Sequence, residues 1–354
     1  MNPSPLARYL LAAYALLVAY ASLHPFTGWR DQGVAPFAFL LASVPRYVTA
    51  FDIAANFFAY LPLGFFAALA AHPRLRGTAA AIAAAAGSAL LSLSMEALQT
   101  FLPARIPSNI DLLANTAGAL AGAVAATVLA PRLLRDEGLH ALRERLFRAG
   151  AKADFGLVLL GLWLFSQLNP ATLLFGNGDL RELFREIPST LHPAALFIRV
   201  EATVAGANAL ALAMLATCLL REQRHRMMLV LSLLGAGLAA RTLAFGVLLS
   251  PGEALAWLTP GAAVGFAAGT LVALIARALP QPARLAAGGL ALMLATAVVN
   301  LSPENPYLSV SIAAWRQGHF LNFNGLTRLV SALWPFLALG YLITLAADRA
   351  RSRE

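Results

Sequence analysis

The stretch Asp52-Ile-Ala-Ala-Asn-Phe-Phe-Ala-Tyr-Leu-Pro-Leu-Gly-Phe-Phe-Ala-Ala-Leu-Ala-Ala71 decides the class of this chain. As one helix its twenty residues cross the hydrocarbon core of a bilayer, about 30 Å thick, at about 1.5 Å per residue. Only Asp52 and Asn56 are strongly polar, and they stand one turn apart on one face. An ionisable group in such a segment costs about 2.5–3.5 kcal/mol at the helix centre and less near an interface. The pair is therefore a pointer to function inside a membrane span.

The rest of the chain is of the same kind. Apolar residues make up 59% and charged residues 12% of the 354, against about 25% charged in soluble domains. Nine further runs approach spanning length: 6–24, 78–102, 110–130, 155–170, 195–220, 227–249, 254–277, 284–301 and 327–347. The expected fold is an all-α, polytopic helical membrane protein of about ten transmembrane helices. Its expected domains are a four-helix membrane domain over 1–130, a basic cytoplasmic linker over 131–154, and a second membrane domain of about six helices over 155–354. Ala19-Tyr-Ala21 has the form of a signal-peptide cleavage site, but the apolar run continues past it and reads as a retained helix.

Charge placement gives the sidedness. The formal charge is +9, yet the basic residues sit in short loops between apolar runs, which excludes a continuous nucleic-acid surface. His72-Pro-Arg74-Leu-Arg76, Arg221-Glu-Gln-Arg224-His-Arg226, the 131–154 connection and the tail with Arg349, Arg351 and Arg353 all fall on one side of a ten-helix path. The positive-inside rule puts that side, and both termini, in the cytoplasm. Cys218, the one cysteine, permits no intramolecular disulfide. There is no zinc spacing, P-loop or dinucleotide fingerprint; no cofactor and no metal are expected.

Two more polar pairs match the first: Glu96-x-x-Gln99 and Asp111-x-x-x-Asn115. With this topology Asp52 and Asn56 open helix 2 from the outer side, Glu96 and Gln99 approach the outer end of helix 3, and Asp111 and Asn115 open helix 4. His24, at the outer end of helix 1, and Arg105, in the 3–4 turn, lie at the same depth. Four consecutive helices thus bring candidate ligand-binding groups to the extracytoplasmic interface.

The chain also echoes itself at an offset near 143 residues. Pro107-Ser-Asn-Ile…Gly118-Ala-Leu-Ala-Gly122 returns as Ser250-Pro-Gly-Glu…Gly261-Ala-Ala-Val-Gly265, and Ser22-Leu-His-Pro25 as Ser166-Gln-Leu-Asn-Pro170. A looser third echo starts at Asn300-Leu-Ser-Pro303. The reading is 4 + 4 + 2 helices with a degenerate parallel internal repeat. At this offset the six pair residues become Ala195, Arg199, Ala239, Thr242, Ala254 and Leu258. The small-residue packing pattern stays and the carboxylates go, which favours function over scaffold for the first set. Arg199, Glu201, Arg241 and Glu253 form a sparser second set.

The first half resembles the VanZ-like family of bacterial membrane proteins. The resemblance rests on His24-Pro25-Phe26, Asp52-x-x-x-Asn56 with Pro62-Leu-Gly64, Ser94-x-Glu96-x-x-Gln99, and Arg105 followed by Asp111-x-x-x-Asn115-x-x-Gly118-x-x-x-Gly122. Order and spacing agree over residues 20–122. The resemblance implies a cell-envelope membrane protein, with an association with antibiotic resistance of the teicoplanin type; it carries no established reaction.

Structural readings compete at each residue. Asp52 and Asp111 suit helix caps. Glu96, near a helix C-terminus where negative charge is disfavoured, needs a partner such as Arg105, or a proton. Asn56, Gln99 and Asn115 suit interhelical hydrogen bonds, His24 an interfacial histidine, and Pro62, Pro260 and Pro335 helix kinks. Three function classes follow. The site binds an envelope component, such as a cell-wall precursor or a lipid head group; or Glu96 and Asp111 are acid and base of a membrane hydrolase or transferase; or the carboxylates serve proton-coupled transport.

Overall fold

The computed structural model describes residues 5–43, 48–133, 139–181, 192–303, 305 and 321–351. Among the described residues every regular element is helical: α1 (Pro5–Leu23), α2 (Ala50–Ala71), α3 (Gly77–Gln99), α4 (Asn109–Leu133), α5 (Leu139–Leu146), α6 (Ala151–Ser166), α7 (Ala194–Leu219), α8 (Arg226–Leu248), α9 (Pro260–Ala276), α10 (Gln281–Leu301) and α11 (Leu321–Arg351). Eight of these are long and apolar enough to cross a membrane: α1 to α4, α7, α8, α10 and α11. The protein is a polytopic helical membrane protein. Each of the ten runs read from the sequence holds a helix, but α6 and α9 are 16 and 17 residues long, short of the roughly 20 needed to span.

The chain divides into two compact units, Met1–Arg145 with Ala149–Val158, and Leu146–Arg148 with Leu159–Glu354. In the first unit α2 and α4 form the most extensive helix pair. They run parallel, because a Cβ at Gly118 would lie 2.0 Å from the Phe57 carbonyl oxygen and one at Gly122 would lie 1.9 Å from that of Leu61. Gly64 returns the contact, its absent Cβ lying 1.9 Å from the Ala119 oxygen. Only glycine admits backbones this close in a membrane helix pair. Alanines fill the next layer: Ala81 and Ala84 of α3 pack with Ala68 of α2 and Ala123 and Ala126 of α4. α1 completes the unit through Val18, which packs with Tyr60, Leu63 and Ala119.

In the second unit α7 is the central helix, packed by both α9 and α10. Its crossing with α9 uses the same device: a Cβ at Gly261 would lie 2.6 Å from the Ile198 oxygen, one at Gly265 2.2 Å from Ala202, and one at Gly269 2.4 Å from Gly206. Trp163 and Trp334 are fully buried, and the Trp334 indole donates to the Leu159 carbonyl at 2.8 Å.

Helix starts correct one proline. Pro62 and Pro335 lie inside α2 and α11, whereas Pro260 occupies the first turn of α9 behind the capping hydroxyl of Thr259. There its missing N–H has no intrahelical partner to lose, so it begins a helix instead of kinking one.

Candidate functional site

The site lies in the first unit, where the N-terminal ends of α2 and α4 meet the C-terminal ends of α1 and α3. Asp52 is at the third position of α2 and closes a capping box: its carboxylate accepts from the Thr49 hydroxyl at 2.7 Å and backbone N–H at 3.1 Å, while the Thr49 hydroxyl accepts from the Asp52 N–H. The capping role expected of Asp52 is thus real. Asp111 does not cap its own helix. Ser108 does, its hydroxyl accepting from the N–H groups of Ile110 and Asp111. The half-buried Asp111 carboxylate instead faces the Asn56 amide and is close enough to Asp52 to feel its charge.

Below this outer tier is a buried one. Glu96 is 4% exposed, and its carboxylate accepts from the Ser108 backbone N–H at 2.8 Å. Of the two possibilities read for Glu96, a partner such as Arg105 or a proton, the Arg105 pairing is not formed. Arg105 donates to the α1 carbonyls of Ala21 and His24 at 2.8 and 2.9 Å, and no ion pair joins it to Glu96 among the described residues. The helix-end carbonyls of α1 compete for the guanidinium and win because they have no intrahelical donors. Burial pulls the Arg105 guanidinium below its ordinary pKa, and the charge of nearby Glu96 opposes that shift.

Asn115 donates to the Ser92 hydroxyl at 2.9 Å, and its Oδ1 is buried with no partner. The Tyr60 hydroxyl, on a residue 3% exposed, lies beside Ser22 and Ser92 but makes no hydrogen bond of good geometry to either. Gln99 donates to the Ser22 carbonyl at 2.8 Å, and the His24 ring packs on Tyr20. So Asp52, Asn56, Glu96, Asp111 and Asn115 form one polar cluster. Gln99, Arg105 and His24 tie α1 to it through main-chain carbonyls.

Residues 7–130 match the family model described as VanZ/LLP1. This first third of the chain is a VanZ-like domain. No curated protein and no solved structure matches the chain. The polar cluster of the VanZ-like domain contains three residues that the paired-motif reading passed over: Tyr60, Ser92 and Ser108. Two of them carried a signal. Tyr60 is four residues after Asn56 and Ser92 four before Glu96, so each continues a polar line along its helix face.

Chemically, the VanZ-like domain offers carboxylates that accept and fix cations, amides that both donate and accept, and a phenol. Ser94 donates to the Leu90 carbonyl of its own helix. Among the described residues no group of three or more His, Cys, Asp or Glu side chains is placed to hold a metal ion. In the second unit Glu201 accepts from Thr259 and Asn305. Arg241 is spent on the Asn169 and Thr172 carbonyls and the Thr172 hydroxyl.

Proposed function

We propose that the VanZ-like domain binds a component of the bacterial cell envelope through the Asp52–Asn56–Glu96–Asp111–Asn115 cluster and alters its exposure. The ligand chemistry it fits is a cationic or amide-bearing group, as in a cell-wall precursor stem peptide or a lipid head group. The observation that carries this reading is the pair of unpartnered buried acceptors and donors, Asn115 Oδ1 and Tyr60 OH, beneath an outer tier of two carboxylates. Buried polar groups in a finished scaffold are almost always hydrogen-bonded, so unpaired ones mark a surface built for something else.

Sidedness supports the same reading. The first four helices alternate sides from the N-terminus, so the basic 72–76 turn and the C-terminal end of α4 lie at the end away from the cluster. We infer that the cluster faces the extracytoplasmic side of a bacterial inner membrane and that both termini are cytoplasmic; an eight- or a ten-span path gives the same parity.

The internal repeat enters here as an inference too. Gly118 and Gly122 correspond to Gly261 and Gly265 at an offset of 143, and their contacts Phe57 and Leu61 to Ile198 and Ala202 at 141. A second copy that keeps the crossing and lacks the acids fits a first copy whose acids serve a ligand. Acid–base catalysis by Glu96 and Asp111 is the second reading, favoured by the Coulombic coupling of the two carboxylates.

The test is susceptibility to teicoplanin, vancomycin and other envelope-targeting agents in a host lacking the protein. Wild type is compared with Glu96→Gln and Asp111→Asn at matched membrane abundance. Protection by wild type and its loss in both variants is the expected outcome. Equal protection by all three proteins would remove the cluster from function.

A further inference from the structure

Glu201 stands at a register already met in the first unit. The α2–α4 crossing seats Gly118 and Gly122 on Phe57 and Leu61, and the α7–α9 crossing seats Gly261 and Gly265 on Ile198 and Ala202. Counted from those contacts, Tyr60 and Glu201 hold the same place, three residues after the first and one before the second. Each unit therefore puts a polar side chain beside its glycine crossing. In the first unit it is a phenol. In the second it is a carboxylate inside an apolar span, where a charge is kept only at a cost.

The half-buried Glu201 carboxylate lines a recessed cavity together with Asp179, Arg181 and Asn305. Its Oε2 accepts from the Thr259 hydroxyl and its Oε1 from the Asn305 amide at 3.0 Å, and both donors are neutral. Among the described residues Glu201 joins no ion pair. Arg181, in the same wall, is committed elsewhere. Its Nε and Nη2 donate to the two Asp179 oxygens at 3.0 and 2.6 Å, and its Nη1 to the Ser302 carbonyl at 3.1 Å. Asp179 and Arg181 offset one another, and the negative charge of Glu201 is left over. Charges withdrawn from water are normally paired.

The cavity sets the size of a fitting cation. Its volume is about 40 Å³, roughly three times the smallest space that holds one water, which suits a group of about three or four non-hydrogen atoms. Phe197 and Val299, each 6% exposed, supply an apolar wall. The space is built into the fold. The Leu180 N–H donates to Asn300 Oδ1 at 2.9 Å, Asn300 Nδ2 donates to the Gly178 carbonyl at 2.7 Å, and the Gly178 N–H donates to the Ser331 carbonyl at 2.8 Å. These bonds fix the 171–181 segment against α10 and α11. A metal ion suits the lining poorly, because among the described residues no three His, Cys, Asp or Glu side chains gather to hold one. N–H donors on a short alkyl stem use both the carboxylate and the apolar wall.

We propose that this cavity binds a small primary amine as its ammonium ion. Glu201 is the counter-ion, Thr259 and Asn305 hold its carboxylate in place, and Phe197 and Val299 take the alkyl carbons. The site lies wholly within the second unit and is independent of the polar cluster in the VanZ-like domain.

The experiment uses the full chain, purified in a neutral detergent and titrated with ethylammonium, tetramethylammonium or sodium chloride at equal ionic strength. Binding is read by isothermal titration calorimetry and stability by thermal unfolding. Ethylammonium is expected to bind and to raise the melting temperature. Tetramethylammonium, which has the charge but no N–H, and sodium should do neither. Glu201→Gln keeps the shape and removes the charge, and should weaken ethylammonium binding about tenfold or more, as loss of a charge-assisted hydrogen bond implies. If that variant does not fold, Ala171→Leu fills the cavity from its wall without replacing a charged group and should abolish binding. Phosphatidylethanolamine is then offered as a competitor: displacement of ethylammonium assigns the amine to a lipid head group, and its absence assigns it to a free amine. Equal stabilisation by sodium, or no ethylammonium binding by the wild type, would overturn the amine. Ethylammonium binding that survives Glu201→Gln, or that Glu96→Gln abolishes instead, would overturn the site.

Discussion

Ser108 does two jobs with two different atoms: its hydroxyl caps α4, and its backbone N–H donates to the buried Glu96 carboxylate. The two are separable by mutation. Ser108→Ala removes the cap and should cost about 1 kcal/mol of stability, read by thermal unfolding, while leaving Glu96 and the protective function in place. Ser108→Pro removes the N–H and should strand Glu96, with a larger loss of about 1–3 kcal/mol or more for an unsatisfied buried charged group. Tyr60→Phe tests the opposite case. Its hydroxyl makes no hydrogen bond of good geometry, so deletion should leave stability unchanged or slightly raised while impairing ligand binding. A drop of several kcal/mol would show that the hydroxyl is structural. Glu96 itself was legible from the sequence as an acid at the wrong end of a helix. Its partner was not, because a backbone N–H in a turn twelve residues on has no side-chain signature.

At the scale of elements, the glycines of α4 were readable as a packing pattern, but not the depth of their approach. A Cβ at Gly118 or Gly122 would meet a backbone carbonyl at 2.0 or 1.9 Å, and a backbone has no flexible end to move aside. Overpacking of this kind costs about 1–3 kcal/mol and sometimes more. Gly118→Val should sit at the upper end or beyond, seen as a large fall in melting temperature and in membrane abundance. Gly87, with open space around its Cβ position, is the matched control: Gly87→Val in α3 should be tolerated. Pro260 shows where element-level reading fails. Periodicity places a proline inside an apolar run, but only the Ser250–Thr259 segment, which forms a 3₁₀ turn and then a cap, reveals that the helix starts at it.

For the whole molecule, hydropathy named the class and located all ten helical runs, because lipid imposes a strong and simple constraint on composition. It did not fix how many of them span, since α6 and α9 fall below the length at which composition alone decides. Orientation can be measured. Cys218 is 2% exposed, so the wild-type background for thiol labelling should be low. Ile106→Cys, at a residue 84% exposed in the α3–α4 turn, should react with a membrane-impermeant maleimide in intact cells, and Leu75→Cys in the α2–α3 turn only after permeabilisation. The reverse pattern would invert the inferred sidedness and move the polar cluster to the cytoplasmic face.

The α2–α4 crossing has one further consequence. With carbonyls seated against glycines at three levels, these helices have no room to slide or roll, so Asp52, Asn56, Asp111 and Asn115 ride on one stiff wall. The facing wall, α1 and α3, is joined at this end by hydrogen bonds from Gln99 and Arg105 to the ends of a neighbouring helix, and water can replace those one at a time. A ligand therefore meets one unyielding side and one that gives. Changes on the stiff side should alter how tightly it is held; changes at Gln99 and Arg105 should alter how quickly it comes and goes.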